Sequence, residues 1–469
     1  MPAEDAAMTT PAAPAAEAPA VARGSVGRLR ALPIWDAASV RDFRLVWASE
    51  GVSVLGDQFH AVALSWLVIT LTGSGLALGT VLIAISVPRA LLLMPMGVLA
   101  DRRSPRSLML SSHLARAAIV AAIAVLAASG NASIPVLAAL GVLFGCADAV
   151  FLPAMEAFVP RAVGPDRLAS ANSLLQATLQ LVSVAGPPLA GVVVAAAGTG
   201  IAFGVDAASF VIAAGVVALI GGTVVSATAG GRADHAPEAP AAPASRAVAA
   251  ASADPGTESF FSSLRSGLRY VLADRGIAVM LAVSLVLNFA LNGPAAVGIP
   301  WLAELRYHVG AAGLGLLFAG FAVGSLAGTL IAGNVRLERQ GRIVLAGLAL
   351  SGVAMSGVGL ADSLGVALLL FAVAGLCIGY VNIVAVSWLQ ARVEVRMLGR
   401  VMSVVMLVSF GVSPLSMAVA GALIDANVTL LFVGAGALVV AATVAALLLG
   451  AVELFDAPRT PSREGGATG

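Results

Sequence analysis

The chain has 469 residues, of which 59% are hydrophobic and only 11% charged, with 26 basic and 25 acidic residues and a net charge of +1. Soluble globular proteins carry roughly 25% charged residues, and less than half that cannot cover a soluble surface of this size. This excludes soluble enzymes, nucleic-acid binders and disordered chains. The 51 glycines and the 5% aromatic content suit helices that pack backbone to backbone.

In chain order, residues 1–42 are rich in Ala, Pro and acids, with no apolar core after a basic start. They are expected to form a disordered cytoplasmic tail, not a signal peptide. Apolar runs follow at 45–70, 76–100, 107–129, 134–157, 169–197 and 202–224. A second set lies at 277–301, 310–333, 343–362, 364–388, 398–424 and 428–450. Each is long enough to cross about 30 Å of hydrocarbon as a helix. None shows the alternation of a membrane barrel. Residues 225–262 contain Ala-Pro repeats around Pro237, Pro240 and Pro243 and read as a flexible cytoplasmic linker. The expected fold is therefore an all-α polytopic membrane protein of 12 transmembrane helices. Two six-helix bundles, at 43–224 and 263–450, are followed by a cytoplasmic tail at 451–469.

Every basic residue is Arg. Twenty-three of the 26 fall before span one, in alternate loops, in the linker or in the tail; Arg306 alone falls on the other side. The positive-inside bias then puts both termini and the linker in the cytoplasm of a bacterial inner membrane. The halves also resemble each other. Gly97 to Arg106 after span two corresponds to Gly333 to Arg342 after span eight, and Pro187 in span five to Pro414 in span eleven. A parallel repeat of this kind is a transporter arrangement, with a binding site expected between the halves near the midplane.

Gly97-x-Leu99-x-Asp101-Arg102-x-x-x-Arg106 resembles the loop 2–3 motif of the major facilitator superfamily. Phe43-Arg44-Leu45-x-Trp47, Ser53-x-Leu55-Gly56-Asp57, Leu71-Thr72-Gly73-Ser74 with Pro88, Leu168-Ala169-x-Ala171-Asn172-Ser173 and Asp206-Ala207-x-Ser209-Phe210 are similar to its branch of macrolide-efflux and enterobactin-exporter-like proteins. The resemblance covers residues 43–210. It implies alternating access by two rocking bundles, with Asp101, Arg102 and Arg106 latching a cytoplasmic gate. Gly186-Pro187-Pro188-Leu189-Ala190-Gly191 partly resembles the helix-bend element of proton-coupled exporters, with Ala190 in place of a Gly.

Ionisable residues inside spans are costly and mark function by default. Here Glu50, Asp57, His60, Arg89, Arg116, Asp148, Glu156 and Asp206 concentrate in the first half. Counting 1.5 Å per residue puts Asp57 and Arg89 both about 18 Å deep, and Arg116 and Asp148 both about 13 Å deep. Asp57 is thus expected to face Arg89, and Arg116 to face Asp148, as proton-switched pairs or as permanent ion pairs. Glu50, Asp57 and His60 share a face of span one, as a proton relay or as groups reaching water and hydrogen bonds. Asn172, Gln176 and Gln180 form a polar stripe on span five, and Asn288 and Asn292 another on span seven; with Tyr380, Phe289 and Trp301 they are candidates for a substrate cavity. Helix-to-helix packing competes for the same side chains.

There is no P-loop, no His-Glu-x-x-His, no Gly-x-Ser-x-Gly and no Cys-x-x-Cys, and the four His are scattered. No enzyme, metal site, cofactor or nucleic-acid partner is expected; the proton gradient is the energy source. The reading is a monomeric, bilayer-embedded exporter of an amphipathic small molecule by proton antiport, with uptake by proton symport as the alternative.

Overall fold

The apolar runs fold as helices throughout the described residues of the computed structural model, which are 35–221, 260–334 and 340–456. Most of the two tails and the linker expected above lie outside them, as do Arg336 and Arg339; the side chain of Asp101 is also outside the description. The helices of the first half are α1 (Arg41–Thr72), α2 (Gly75–Arg102), α3 (Pro105–Ala128), α4 (Ile134–Asp148), α5 (Phe151–Val163) and α6 (Leu168–Ala218). Those of the second are α7 (Phe260–Ala273), α8 (Arg275–Gly293), α9 (Gly310–Asn334), α10 (Gln340–Leu360), α11 (Leu364–Arg392), α12 (Val395–Gly411), α13 (Ser413–Ile424) and α14 (Val428–Leu448).

Eleven continuous helical stretches among the described residues are long and apolar enough to cross a membrane. The 51 residues of α6 would extend about 77 Å as one rod, more than twice the hydrocarbon thickness. The chain instead reverses at Gly198, whose φ of 84° and ψ of 168° only a residue without Cβ adopts readily. Counting the two arms of α6 separately restores the twelve crossings read from the sequence.

Interruptions of the spans have identifiable causes. Span four divides into α4 and α5 at Ala149 and Val150, because Pro153 has no N–H to return to the Ala149 carbonyl. Span eleven divides at Val412, with Pro414 in the first turn of α13. Span seven passes from α8 into π-helical turns at Pro294–Gly298 and Leu302–Arg306. At the first of these, the Ser416 hydroxyl of α13 accepts from the Gly293 N–H at 2.7 Å and donates to the Phe289 carbonyl. It thereby occupies the place of a rung in the helical ladder, a recognised origin of helix bends.

The helix pairings of the first half recur in the second with a shift of six spans. Spans two and four pack as do eight and ten, and spans three and six as do nine and twelve. The glycine ridge of α9 explains its tight seat on α11: Gly324 lies against the backbone of Ala372, and Gly328 against that of Leu376. Contacts between the halves follow the same symmetry, with span two against eleven and span five against eight. The named approaches lie at the end opposite the Arg102–Arg106 turn, here the far end. There a Cβ on Gly191 would collide with the Ala311 carbonyl, and one on Gly315 with that of Pro187. The largest buried apolar cluster crosses this seam, running from Leu64, Leu78 and Phe203 to Val297, Leu314 and Ile424.

Candidate functional site

Asp425, at the C-cap of α13, closes the seam with three hydrogen bonds to the start of α2. It accepts from the Ser74 hydroxyl at 2.6 Å, the Gly75 N–H at 2.7 Å and the Leu76 N–H at 3.2 Å. A carboxylate there satisfies orphan donors of the helix N-terminus and meets the positive end of its dipole. At the opposite end, Arg106 donates to the carbonyls of Val217 and Ala218, capping α6 within its own half. Gly97 has open space where a Cβ would stand. Arg102 closes α2 as its last residue, and Asp101 precedes it.

The ionisable residues of the first half form two connected groups. In one, Asp148 ends α4 at the Pro153 break and receives two guanidinium groups. Arg116 Nη1 lies 3.0 Å from Oδ1, and Arg89 Nε lies 3.1 Å from Oδ2. The expected Arg116–Asp148 pair is present. The expected Asp57–Arg89 pair is not: equal depth fixes the level of two side chains but not the side of the helix they leave from, and Arg89 turns toward α4. Arg116 is 1% exposed. Its guanidinium sits between the rings of Phe151 and Phe210, at 4.9 Å and 4.4 Å from their centroids. Apolar walls of this kind stabilise a cation through the ring faces while excluding water. Its Nη2 lies 3.1 Å from His113 Nδ1, and the far ring nitrogen of His113 lies 3.4 Å from the Ser49 hydroxyl of α1.

In the other group, His60 of α1 meets Asp206 of the second arm of α6, Nδ1 to Oδ2 at 3.0 Å. The imidazole is stacked on Phe144 at 4.7 Å and edged by Phe203 at 5.5 Å. Sequence reasoning named both residues but did not pair them. The signal was available: His60 lies about 22 Å and Asp206 about 27 Å from the arginine-rich edge by the same count.

Buried polar atoms are normally hydrogen-bonded. Four side-chain atoms here are buried without a described partner: Glu50 Oε2, His60 Nε2, Arg116 Nε and Asp206 Oδ1. All four belong to the first half. Asp57 makes no side-chain hydrogen bond or ion pair to a described residue, and lies in the fields of Arg116, Asp206, Asp148 and Glu50. Four carboxyl groups thus share this interior with two guanidinium groups.

A cavity of about 450 Å³ lies in the second half, not symmetrically between the halves. Asn288 and Asn292 line it, together with Asn382, Ser284 and Ser409, which the sequence does not single out. Asn172, Gln176, Gln180 and Tyr380 do not line it. Tyr380 is instead buried in a core of Val344, Leu348 and Val381. Phe289 faces a separate apolar groove beside α13 and α14, and Trp301 packs on the main core. In the helix-bend element, Gly186 rests against Gln58, while Pro187 and Gly191 form the seam with α9. Among the described residues no cluster of His, Cys, Asp and Glu is arranged to hold a metal.

A family profile described as a transmembrane secretion effector matches residues 34–228. An uncharacterised major-facilitator-type transporter of Sinorhizobium fredii is 29% identical over 360 residues, covering 75% of this chain and 80% of its own. The multidrug efflux pump Tap of Mycolicibacterium fortuitum is 27% identical over 412 residues, covering 85% and 92%. A bacterial homologue of the iron transporter ferroportin, solved in its inward-facing state, superposes with a TM-score of 0.65 at 14% identity, covering 89% and 99%. With twelve crossings, a repeated six-span pairing and these relatives, the chain is a multi-pass membrane protein similar over most of its length to transporters of the major facilitator superfamily.

Proposed function

We propose that this transporter exports an amphipathic small molecule in exchange for protons, by alternating access of two six-helix bundles, with both termini in the cytoplasm. The observation that carries the reading is the division of chemistry between the halves. The first half holds His60–Asp206, Asp57, Glu50 and the Arg89–Asp148–Arg116 triad, with unpartnered buried atoms. The second half holds the cavity, and none of the described residues that line it is ionisable. A proton taken up in the first half neutralises part of its carboxylate excess, and rocking then exposes that site to the other side.

The far-end seam, held by Asp425 and the Gly191–Gly315 approach, supports a state closed at that end. Export as the direction is supported by the family profile, described as a secretion effector, and by the Tap relative, an efflux pump. The test is transport in everted membrane vesicles containing the full chain. Substrate should accumulate when the lumen is acidified, and an uncoupler should abolish accumulation. Accumulation that survives the uncoupler removes the proton drive. Substrate loss on acidification reverses the direction and makes the protein a symporter.

A further inference from the structure

The cavity of the second half has a chemical character of its own. Its walls come from α8, the first π turn and the Ile299 that follows it, α9, α10, α11 and α12, and none of its described lining residues is Asp, Glu, Arg or His. In the described spans of this half, charged side chains occur only near the ends, such as Asp274, Arg306, Arg392 and Arg400. Phe321, Met355, Phe371 and Met402 give it an apolar, adaptable surface.

Against that surface stand three carboxamides. Asn288 and Asn292 are four residues apart on one face of α8, and Asn382 lies on α11. Asn288 Nδ2 donates to the Ser284 carbonyl at 2.9 Å, which leaves its Oδ1 uncommitted. Neither Asn292 nor Asn382 makes a side-chain hydrogen bond to a described residue. Each carboxamide offers two donors and an acceptor with two lone pairs. Together they present both signs of dipole and no net charge.

We infer that the solute recognised in this cavity is uncharged: a drug-sized molecule with an apolar body and at least two amide, hydroxyl or carbonyl groups bound by Asn288, Asn292 and Asn382. A cation or anion entering here would leave water without finding a counter-charge among the described lining residues, which disfavours it against a neutral solute. A neutral solute exchanges its hydrogen bonds to water for bonds to the carboxamides, and the apolar wall supplies the rest. The inference rests on the cavity being the solute site of the proposed exporter. Exchange of a neutral solute for protons also moves net charge, so transport responds to membrane potential as well as to pH.

Three probes that share one fluorophore test this with the purified full chain in lipid nanodiscs. They are dansylglycinamide (neutral), dansylglycine (an anion) and a dansylamidoethyl-trimethylammonium salt (a cation), each titrated by its fluorescence enhancement. The neutral probe should bind saturably, about tenfold or more tighter than either ion, and Asn292→Leu or Asn382→Leu should weaken it about fivefold or more. Asn292→Asp, which keeps size and shape, should shift preference toward the cation. Tighter binding of the cation by the unaltered protein, absence of saturable binding of the neutral probe, or unchanged binding in all Asn variants overturns the inference. No pH gradient is used. A neutral preference together with uncoupler-resistant transport would therefore remove the proton drive alone, whereas a cation preference with intact coupling removes only this inference.

Discussion

His60 and Asp206 meet across α1 and the second arm of α6, with Nδ1 3.0 Å from Oδ2 and the remaining atoms, Nε2 and Oδ1, buried without a described partner. The bond joins the two helices, and each side chain keeps one buried polar atom that no described residue satisfies. The first prediction follows from this pair and needs no substrate. In nitrogen-15 spectra of the histidine-labelled protein recorded at one pH, the His60 Nδ1 resonance should move in Asp206→Asn, because the group it bonds has changed. A resonance that stays where it is in the unaltered protein would show that the His60–Asp206 hydrogen bond does not form.

The Arg116–Asp148 pair makes a different prediction, about stability. Arg116 is 1% exposed and held by Asp148, His113 and two phenylalanine rings. Removing one member of a buried ion pair leaves an uncompensated charge, at a cost of about 3–5 kcal/mol. Asp148→Asn should lower the melting temperature strongly, because it strands the buried Arg116, whereas Arg89 is half-exposed and keeps its contact with solvent. The double variant Asp148→Asn with Arg116→Met should be more stable than Asp148→Asn alone, since the stranded charge is gone. Thermal unfolding in detergent reads both. Equal melting of the single and double variants would mean that the pair contributes packing and not charge compensation.

These two pairs also show what was legible in the sequence. Spans, their number and their alternation followed from apolar run length and arginine placement, because the bilayer imposes both. Depth followed as well, which is why Arg116–Asp148 could be read. The side of the helix from which a residue leaves could not. The span helices are apolar almost all round, so hydrophobic periodicity carries little information about which face meets which neighbour. Depth alone therefore pairs Arg89 with Asp57 at its own level, where the fold turns it to Asp148. His60–Asp206 and Ser74–Asp425 join residues 146 and 351 positions apart, with no local pattern to pair them.

Asp425 carries the third prediction. Its carboxylate accepts three hydrogen bonds from the start of α2 and links the halves at the far end. Hydrogen bonds to a charged group contribute about 1.5–3 kcal/mol each. Asp425→Ala should therefore shift the population by about tenfold or more toward a state open at that end. Spin labels at Leu71 and Leu430, both exposed, report the distance across the seam once Cys146 and Cys377 have been replaced. Asp425→Ala should add a longer distance, and Asp425→Asn, which keeps one acceptor, should fall between. An unchanged distribution in Asp425→Ala would leave the apolar seam as the sole clasp.

The fourth prediction concerns pH and lies outside the spans, at the start of α8. Asp274 caps that helix, accepting from the N–H groups of Gly276 and Ile277, and pairs with Arg392 of α11 at 2.9 Å. Burial pushes its carboxyl up, but the hydrogen bond from Arg392, the helix N–H groups and the guanidinium charge outweigh it and hold the group below the ordinary aspartate value. A carboxylate depressed in the folded state stabilises the protein above its unfolded value of about 3.9, and that contribution is lost as pH falls through the folded value. Asp274→Asn keeps the cap, since Asn serves nearly as well there, and removes only the charge. The variant should therefore be less stable than the unaltered protein near neutral pH, by on the order of 1 kcal/mol for a partly exposed pair. The difference should close in acid, where both carry a neutral side chain. Asp274→Ala should stay less stable at every pH because it also loses the cap. A difference between Asp274→Asn and the unaltered protein that does not change with pH would assign the stabilisation to helix capping and not to the Arg392 pair.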